Sequence, residues 1–340
     1  MEIPPVAATS VGSFPKPSWL VRRRDPQSGA AGLVFELEGD ALREAQEDAT
    51  VVAMLDQEQA GLDLLTDGEQ RRVHFINHIL ARWDGIDLGR WQPKEVRRRT
   101  RKVDVPTVVD GVRRREPALV EELRYAKSQT TNPVKMAVPG PVTVVDTTYD
   151  EAYGDEAALA MDVAIAINAE LLDLQAAGAD ALQLDEPAMT RWHEKVADYG
   201  ARALDRCLEG ITVPTFVHLC YGYGGSDERQ HHYEYPELLE MLMQTRIGGF
   251  SLEFARSGYD PSLLNICGER LVMFGCVDPG DAPLEPLDDV AAMVREALRY
   301  VAPERLLVAP DCGLMRVSRE RARAKVQLLA EAAGTVRRSL

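Results

Sequence analysis

Cysteine is scarce in this sequence: Cys207, Cys220, Cys267, Cys276 and Cys312 are its five examples among 340 residues. An odd, dispersed set does not make a disulfide framework. Long apolar runs are missing as well, and none approaches the roughly 20 residues needed to span a bilayer. Positive charge is in deficit, with 39 Lys and Arg against 54 Asp and Glu and a net charge of −15. That balance argues against a nucleic-acid partner. The opening MEIPPVAATSVGSF has no charged stretch followed by an apolar one, so no secretory signal is expected and a cytoplasmic location is the default. No internal repeat or low-complexity segment is present. The arginine clusters at 22–24, 97–99 and 113–115 run against the acidic balance. They read as solvated loop and helix ends, or as contacts for a polyanionic substrate tail.

What is present is alternation. Short apolar runs rich in β-branched residues fall at 6–11, 62–66, 134–138, 181–184, 215–219, 250–252, 271–276 and 306–309. Amphipathic helical patterns separate most of them, at 157–177, 236–244, 287–301 and 318–336. Alternating strand and helix patterns imply a parallel sheet, and eight strands imply a closed α/β (βα)₈ TIM barrel in one domain, 1–340. The third unit is irregular. Residues 71–132 are too many for a simple connection, and the alternating stretch 100–109 within them reads as a small hairpin in an insertion over the barrel mouth.

Barrel chemistry sits at the C-terminal ends of the strands, and here those ends are polar. His218 and Cys220 are two residues apart, so on a strand both side chains share a face. Glu253 follows the next strand and Cys312 the last. Imidazole, thiolates and a carboxylate suit Zn²⁺. The competing reading makes Cys220 and Cys312 small buried hydrophobes and His218 a satisfied core residue, and the spacing alone does not decide between them. Cys276, also near a strand end, sits between Phe274 and Val277 and reads as core, while Cys207 and Cys267 fall in helical patterns and pack. Glu69 and Asp185 end two other strands. They either converge on a cationic amine or form a structural network closing the barrel top. Ser13, after a glycine, is placed to donate to a carboxylate.

Seven segments, in order, resemble one family along nearly the whole chain: TSVGSFPKP (9–17), TDGEQRR (66–72), PGPVT (139–143), LDEPAM (184–189), VHLCYG (217–222), LEFARS (252–257) and APDCGL (309–314). The resemblance is to the catalytic C-terminal barrel of the cobalamin-independent methionine synthases. It implies zinc on His218, Cys220, Glu253 and Cys312, the homocysteine amine on Glu69 and Asp185, and the homocysteine carboxylate near Ser13. With no counterpart of the N-terminal half of the long synthases, the chain looks like the short single-barrel members. TVVDGV (107–112) and VHLCYGYG (217–224) resemble one bacterial group of them, for which an accessory protein is implied.

Two departures bear on the methyl donor. Thr147 stands where the long folate-using members carry a pterin-stacking tryptophan, and VDPGDA (277–282) lacks their proton-handling histidine. The donor is therefore a methylfolate or another methyl compound, with folate use in the manner of the long synthases not expected. Asp278, Asp146 or a water is left to protonate the leaving group, and Asp278 is taken as the catalytic candidate. The chemistry expected is zinc-dependent activation of a thiol, since the thiolate is the nucleophile. The alternative within the family is alkyl transfer to another thiol, such as coenzyme M, or from another alkyl donor.

Overall fold

The computed structural model describes residues 3–23, 33–97, 102–221 and 234–340. Seven parallel strands form the main sheet: β1 (Ala7–Ala8), β6 (Lys135–Pro139), β8 (Ala181–Asp185), β9 (Thr215–Leu219), β10 (Gly249–Glu253), β11 (Leu271–Val277) and β12 (Leu306–Pro310), in the order β1-β12-β11-β10-β9-β8-β6. Single parallel bridges, Thr9 with Leu64 and Leu65 with Val134, join the two edges. The eighth expected strand is thus present only as this bridging segment. Its ladder stops early because the Gln57 side chain takes both backbone groups of Thr66: Gln57 Oε1 accepts from the amide at 3.0 Å, and Nε2 donates to the carbonyl at 2.9 Å.

The strands β9, β10 and β12 are buried along their full length, as expected where helices cover a parallel barrel. Alternate residues split between two cores. Ala7, Leu64, Ala181, Phe216, Met273, Leu307 and Ala309 pack together inside the barrel. Their strand neighbours, such as Val217, Phe250, Phe274 and Val308, belong to the larger core under the helices. That outer layer includes α1 (Gly39–Ala60), α3 (Val120–Ser128), α5 (Glu156–Ala176), α7 (Ala201–Cys207), α8 (Glu234–Leu242), α9 (Leu287–Ala297) and α10 (Arg319–Arg337). Side-chain caps start two of the longest: Asp155 accepts from the amides of Ala157 and Ala158, and Ser318 from that of Arg321. Among the described residues no helix is long and apolar enough to cross a membrane.

Within 71–132 lie α2 (Phe75–Leu80) and a long antiparallel hairpin, β4 (Trp83–Glu95) with β5 (Lys102–Arg114), joined on its far side by β7 (Tyr149–Asp150). Thr100 and Arg101, where the expected hairpin begins, are outside the described residues. Near the hairpin tip, Lys94 Nζ donates to the carbonyls of Val145 (2.8 Å) and Thr148 (2.7 Å), and the Arg97 amide donates to Asp146 (2.9 Å). These contacts grip the end of α4 (Pro141–Asp146), the short helix that follows β6 at the barrel top. A three-residue antiparallel pair, β2 (Val21–Arg23) with β3 (Leu33–Phe35), and α6 (His193–Lys195) complete the strands and α-helices among the described residues. Within the arginine clusters, Arg22 pairs with Glu36, Arg114 with Glu170 and Asp173, and Arg115 with Asp84 and Glu116. Arg24, Arg98 and Arg99 lie outside the described residues.

Candidate metal centre

His218 near the end of β9, Cys220 just beyond it, Glu253 at the end of β10 and Cys312 after β12 bring one ligand atom each within 4.8 Å of one another. The two sulfurs are 3.3 Å apart. Strand alternation explains the convergence. Phe216 faces the barrel interior, so His218 and Cys220, two and four residues on, climb the same face toward the mouth. On β11 the interior residue is Met273, so Cys276 has the opposite parity and is buried under the helices. Cys207 and Cys267 are buried in that outer core too.

The cluster fits a divalent metal on the state of its histidine. Nδ1 of His218 lies 3.0 Å from Ser251 Oγ, which fixes the ring, while the buried Nε2 has no hydrogen-bond partner among the described residues. Burial, and then the charge of Lys135, pull this imidazole down to about 3, so it is neutral at pH 7. A neutral ring with one nitrogen held and the other unsatisfied is a ligand's disposition. A buried nitrogen without a partner otherwise costs about 1–3 kcal/mol.

Neighbours that the sequence reading did not single out fix the other three ligands. Tyr235, fully buried, donates its hydroxyl to the Leu219 carbonyl at 2.6 Å and accepts the Glu253 amide at 3.2 Å. It thereby ties the ends of β9 and β10 together. Asp311 accepts three backbone amides, Phe254 (3.0 Å), Ala255 (3.0 Å) and Arg256 (2.8 Å). It is adjacent to Cys312 and binds the residues immediately after Glu253, so two ligands from different strands share one anchor. The available signals were an acid beside a ligand for Asp311, and for Ser251 a polar residue paired in register with His218.

The expected substrate residues occupy the other side of the mouth. Glu69 has a left-handed backbone (φ 55°), a conformation that costs a non-glycine residue about 1–3 kcal/mol. Asp67 Oδ1 holds its amide at 3.1 Å. A Cβ at Gly12 would come within 2.9 Å of Glu69 Oε1, so only glycine lets this carboxylate lie against the loop carrying Ser13. A Cβ at Gly313 would collide with Ser13 Oγ. The loop of Gly12 and Ser13 thus lies against Glu69 at one residue and against Gly313, the residue after Cys312, at the next. Burial pushes the carboxyls of both Glu69 and Asp185 upward, and for Asp185 the charge of Glu69 adds to it. Nearby, Arg72 is almost wholly buried and donates to Asp67 Oδ2, Glu122 Oε2 and the Ala137 carbonyl, each at 2.9 Å. Burial alone would raise Glu122, but Arg72 and His78 together outweigh it and the carboxyl falls to about 2.

Asp278 is engaged locally. It accepts the Gly280 amide at 2.6 Å and lies 3.6 Å from Arg256 Nε. Asp146 accepts Trp192 Nε1 at 2.8 Å as well as the Arg97 amide, and burial raises its carboxyl. Thr147 ends α4, its hydroxyl turned back to the Thr143 carbonyl at 2.6 Å. Among aromatics available to stack on a donor ring, Trp19 and Tyr149 are exposed, and Tyr223 lies outside the described residues.

Residues 6–335 match the family model described as cobalamin-independent synthase, catalytic domain. A methionine synthase of Sulfurisphaera tokodaii is 32% identical over 100% of this chain and 95% of its own length. Among solved structures, the B12-independent methionine synthase from Shewanella sp. W3-18-1 in complex with selenomethionine superposes with a TM-score of 0.92, at 33% identity and 98% coverage of both chains. A putative vitamin-B12 independent methionine synthase from Listeria monocytogenes shares the fold, with a TM-score of 0.74 at 20% identity and 99% coverage of both.

Proposed function

This chain belongs to the cobalamin-independent methionine synthase family, and from that premise we propose that it is an enzyme transferring a methyl group to the sulfur of homocysteine, with His218, Cys220, Glu253 and Cys312 as zinc ligands. The observation that carries the proposal is the convergence of these four side chains around an unsatisfied His218 Nε2. A zinc ion held there would supply Lewis acidity that keeps a substrate sulfur as thiolate at neutral pH.

The chain's own residues do the rest. Glu69 and Asp185 would receive the ammonium, and Ser13, packed against Gly313, the carboxylate. A ligand presenting thiol, ammonium and carboxylate on one short carbon chain matches that order of groups, and homocysteine is such a ligand. His218 enters neutral, because burial and Lys135 disfavour its protonation, so no proton must leave the ring before it binds a cation. The whole chain would act as one catalytic unit, with 71–132 an insertion whose hairpin steadies α4 beside the mouth. Asp278 receives no part in this reading, because its carboxylate already organises its own loop.

Purified protein should contain about one zinc per chain and form methionine from homocysteine with a methylfolate, methylcobalamin or a methylthiol as donor, alone or with an accessory protein. Turnover that survives complete metal removal, or that occurs with coenzyme M and not with homocysteine, would overturn the assignment.

A further inference from the structure

One layer deeper in the barrel than Glu69 and Asp185 lies Lys135, a lysine on β6 with essentially no access to solvent. Its ammonium donates to the Val11 carbonyl at 2.9 Å and to Oε1 of Gln183, and Met273 Sδ is 3.8 Å away. Gln183, on the neighbouring strand β8, is fully buried too, and its Nε2 donates to Asp185 Oδ1 at 2.7 Å.

An ammonium can only donate, and an ionised carboxylate can only accept. Between them an amide has one acceptable orientation, oxygen toward Lys135 and nitrogen toward Asp185. Reversed, it would set NH₂ against NH₃⁺ at one end and oxygen against carboxylate at the other. The run Lys135, Gln183, Asp185 therefore has a fixed polarity, set by a charge deeper in the barrel and read out at its mouth. It occupies Oδ1 of Asp185 and leaves Oδ2 without a hydrogen bond among the described residues. Burial opposes the charge on Lys135, while Asp185 and Glu69 favour it. The lysine is thus also a nearby counter-charge for two carboxylates that have little water around them.

We propose that Lys135 and Gln183 are positioning residues for amine recognition, orienting Asp185 so that the site prefers thiols bearing an α-ammonium group over thiols that lack it. The proposal rests on the reading of Glu69 and Asp185 as the ammonium site. Neither residue would touch the substrate; both would act through Asp185.

The test is calorimetric titration of the zinc-loaded protein with homocysteine and with 4-mercaptobutanoate, the same thiol without its amine. Two near-isosteric variants are compared with the parent, Lys135→Met and Gln183→Glu. The second substitutes a carboxylate that can pair with Lys135 but cannot donate to Asp185. Losing a hydrogen bond to a charged group should weaken homocysteine binding at least about tenfold, while 4-mercaptobutanoate affinity and zinc content stay within about twofold of the parent. Should Lys135→Met fail to fold, Gln183→Glu carries the test alone. Equal weakening of both thiols, or homocysteine binding as tight as in the parent, would overturn the proposal. A parent protein that binds the two thiols equally would instead overturn the ammonium reading beneath it.

Discussion

On one side of the barrel mouth the metal ligands are fixed without a buried cation: Ser251 Oγ on His218, the Tyr235 hydroxyl between β9 and β10, and the Asp311 carboxylate on backbone amides. On the other side, carboxylates are fixed by buried cations. Arg72 spans Asp67 and Glu122, and Lys135 reaches Asp185 through Gln183. The difference follows from what each side has to bind. Two thiols, a neutral imidazole and the Glu253 carboxylate await a cation of their own, and an arginine or lysine in contact with them would compete with it. Carboxylates kept ready for an ammonium must stay ionised with little water around them, and buried charges survive only when paired. The metal side should therefore tolerate mutation as a fold and fail as a site, whereas the acidic side should fail first as a fold.

The largest effect expected from that contrast is on stability. Arg72→Met strands Asp67 and Glu122 without their partner, and should cost about 3–5 kcal/mol of unfolding free energy in urea titrations. Cys312→Ser, measured on metal-free protein, should cost less than about 1 kcal/mol, since the residue is only half-buried and changes by one atom. Equal losses would break the comparison. The same Cys312→Ser protein should fall from about one bound zinc to nearly none in elemental analysis.

Next in size is Ser251→Ala. The His218 ring would lose its orienting partner, and zinc affinity measured by chelator competition should fall about 10–100-fold. The unfolding midpoint of the metal-free protein should barely move. A large fall in that midpoint would mean that Ser251 belongs to the fold rather than the site.

The smallest effect concerns pH. Asp185 faces Glu69, Gln183, Lys135 and, at longer range, Arg72; burial and then Glu69 raise its carboxyl well above the usual range. An acid with a raised pKa is protonated as pH falls toward neutrality, and only its anion attracts an ammonium. The preference for homocysteine over 4-mercaptobutanoate should therefore decline as pH falls through the raised pKa of Asp185, about 7, by at most about tenfold per pH unit. Both compounds carry a thiol and a carboxylate, so their ratio isolates the amine. A ratio that stays flat from pH 8 to pH 6 would show Asp185 ionised throughout.

Parts of this architecture were legible because they follow a local rule. The alternation of strand and helix patterns implied the barrel, and the two-residue spacing of His218 and Cys220 implied a shared face. The same period, once Met273 is known to face inward, turns Cys276 away from the site. The segment 62–66 reads as a strand like the others but forms only single bridges, because Gln57, a helix residue, ends its ladder through a side chain. Lys135 stood in plain view within an apolar run that reads as a buried strand. A lysine there demands a counter-charge, but the run does not say which.

What the sequence by itself determined is therefore the set of strands, the face each side chain takes on its strand, and which chemical groups reach the barrel mouth. Backbone geometry of period two settles these within a few residues. Only the tertiary structure decided the partners: Lys135 with Gln183, Arg72 with Glu122, Asp311 with the amides after Glu253. Those pairings depend on barrel closure, on strand register and on the reach of long side chains. Distances through space fix all three, and spacing along the chain does not encode them.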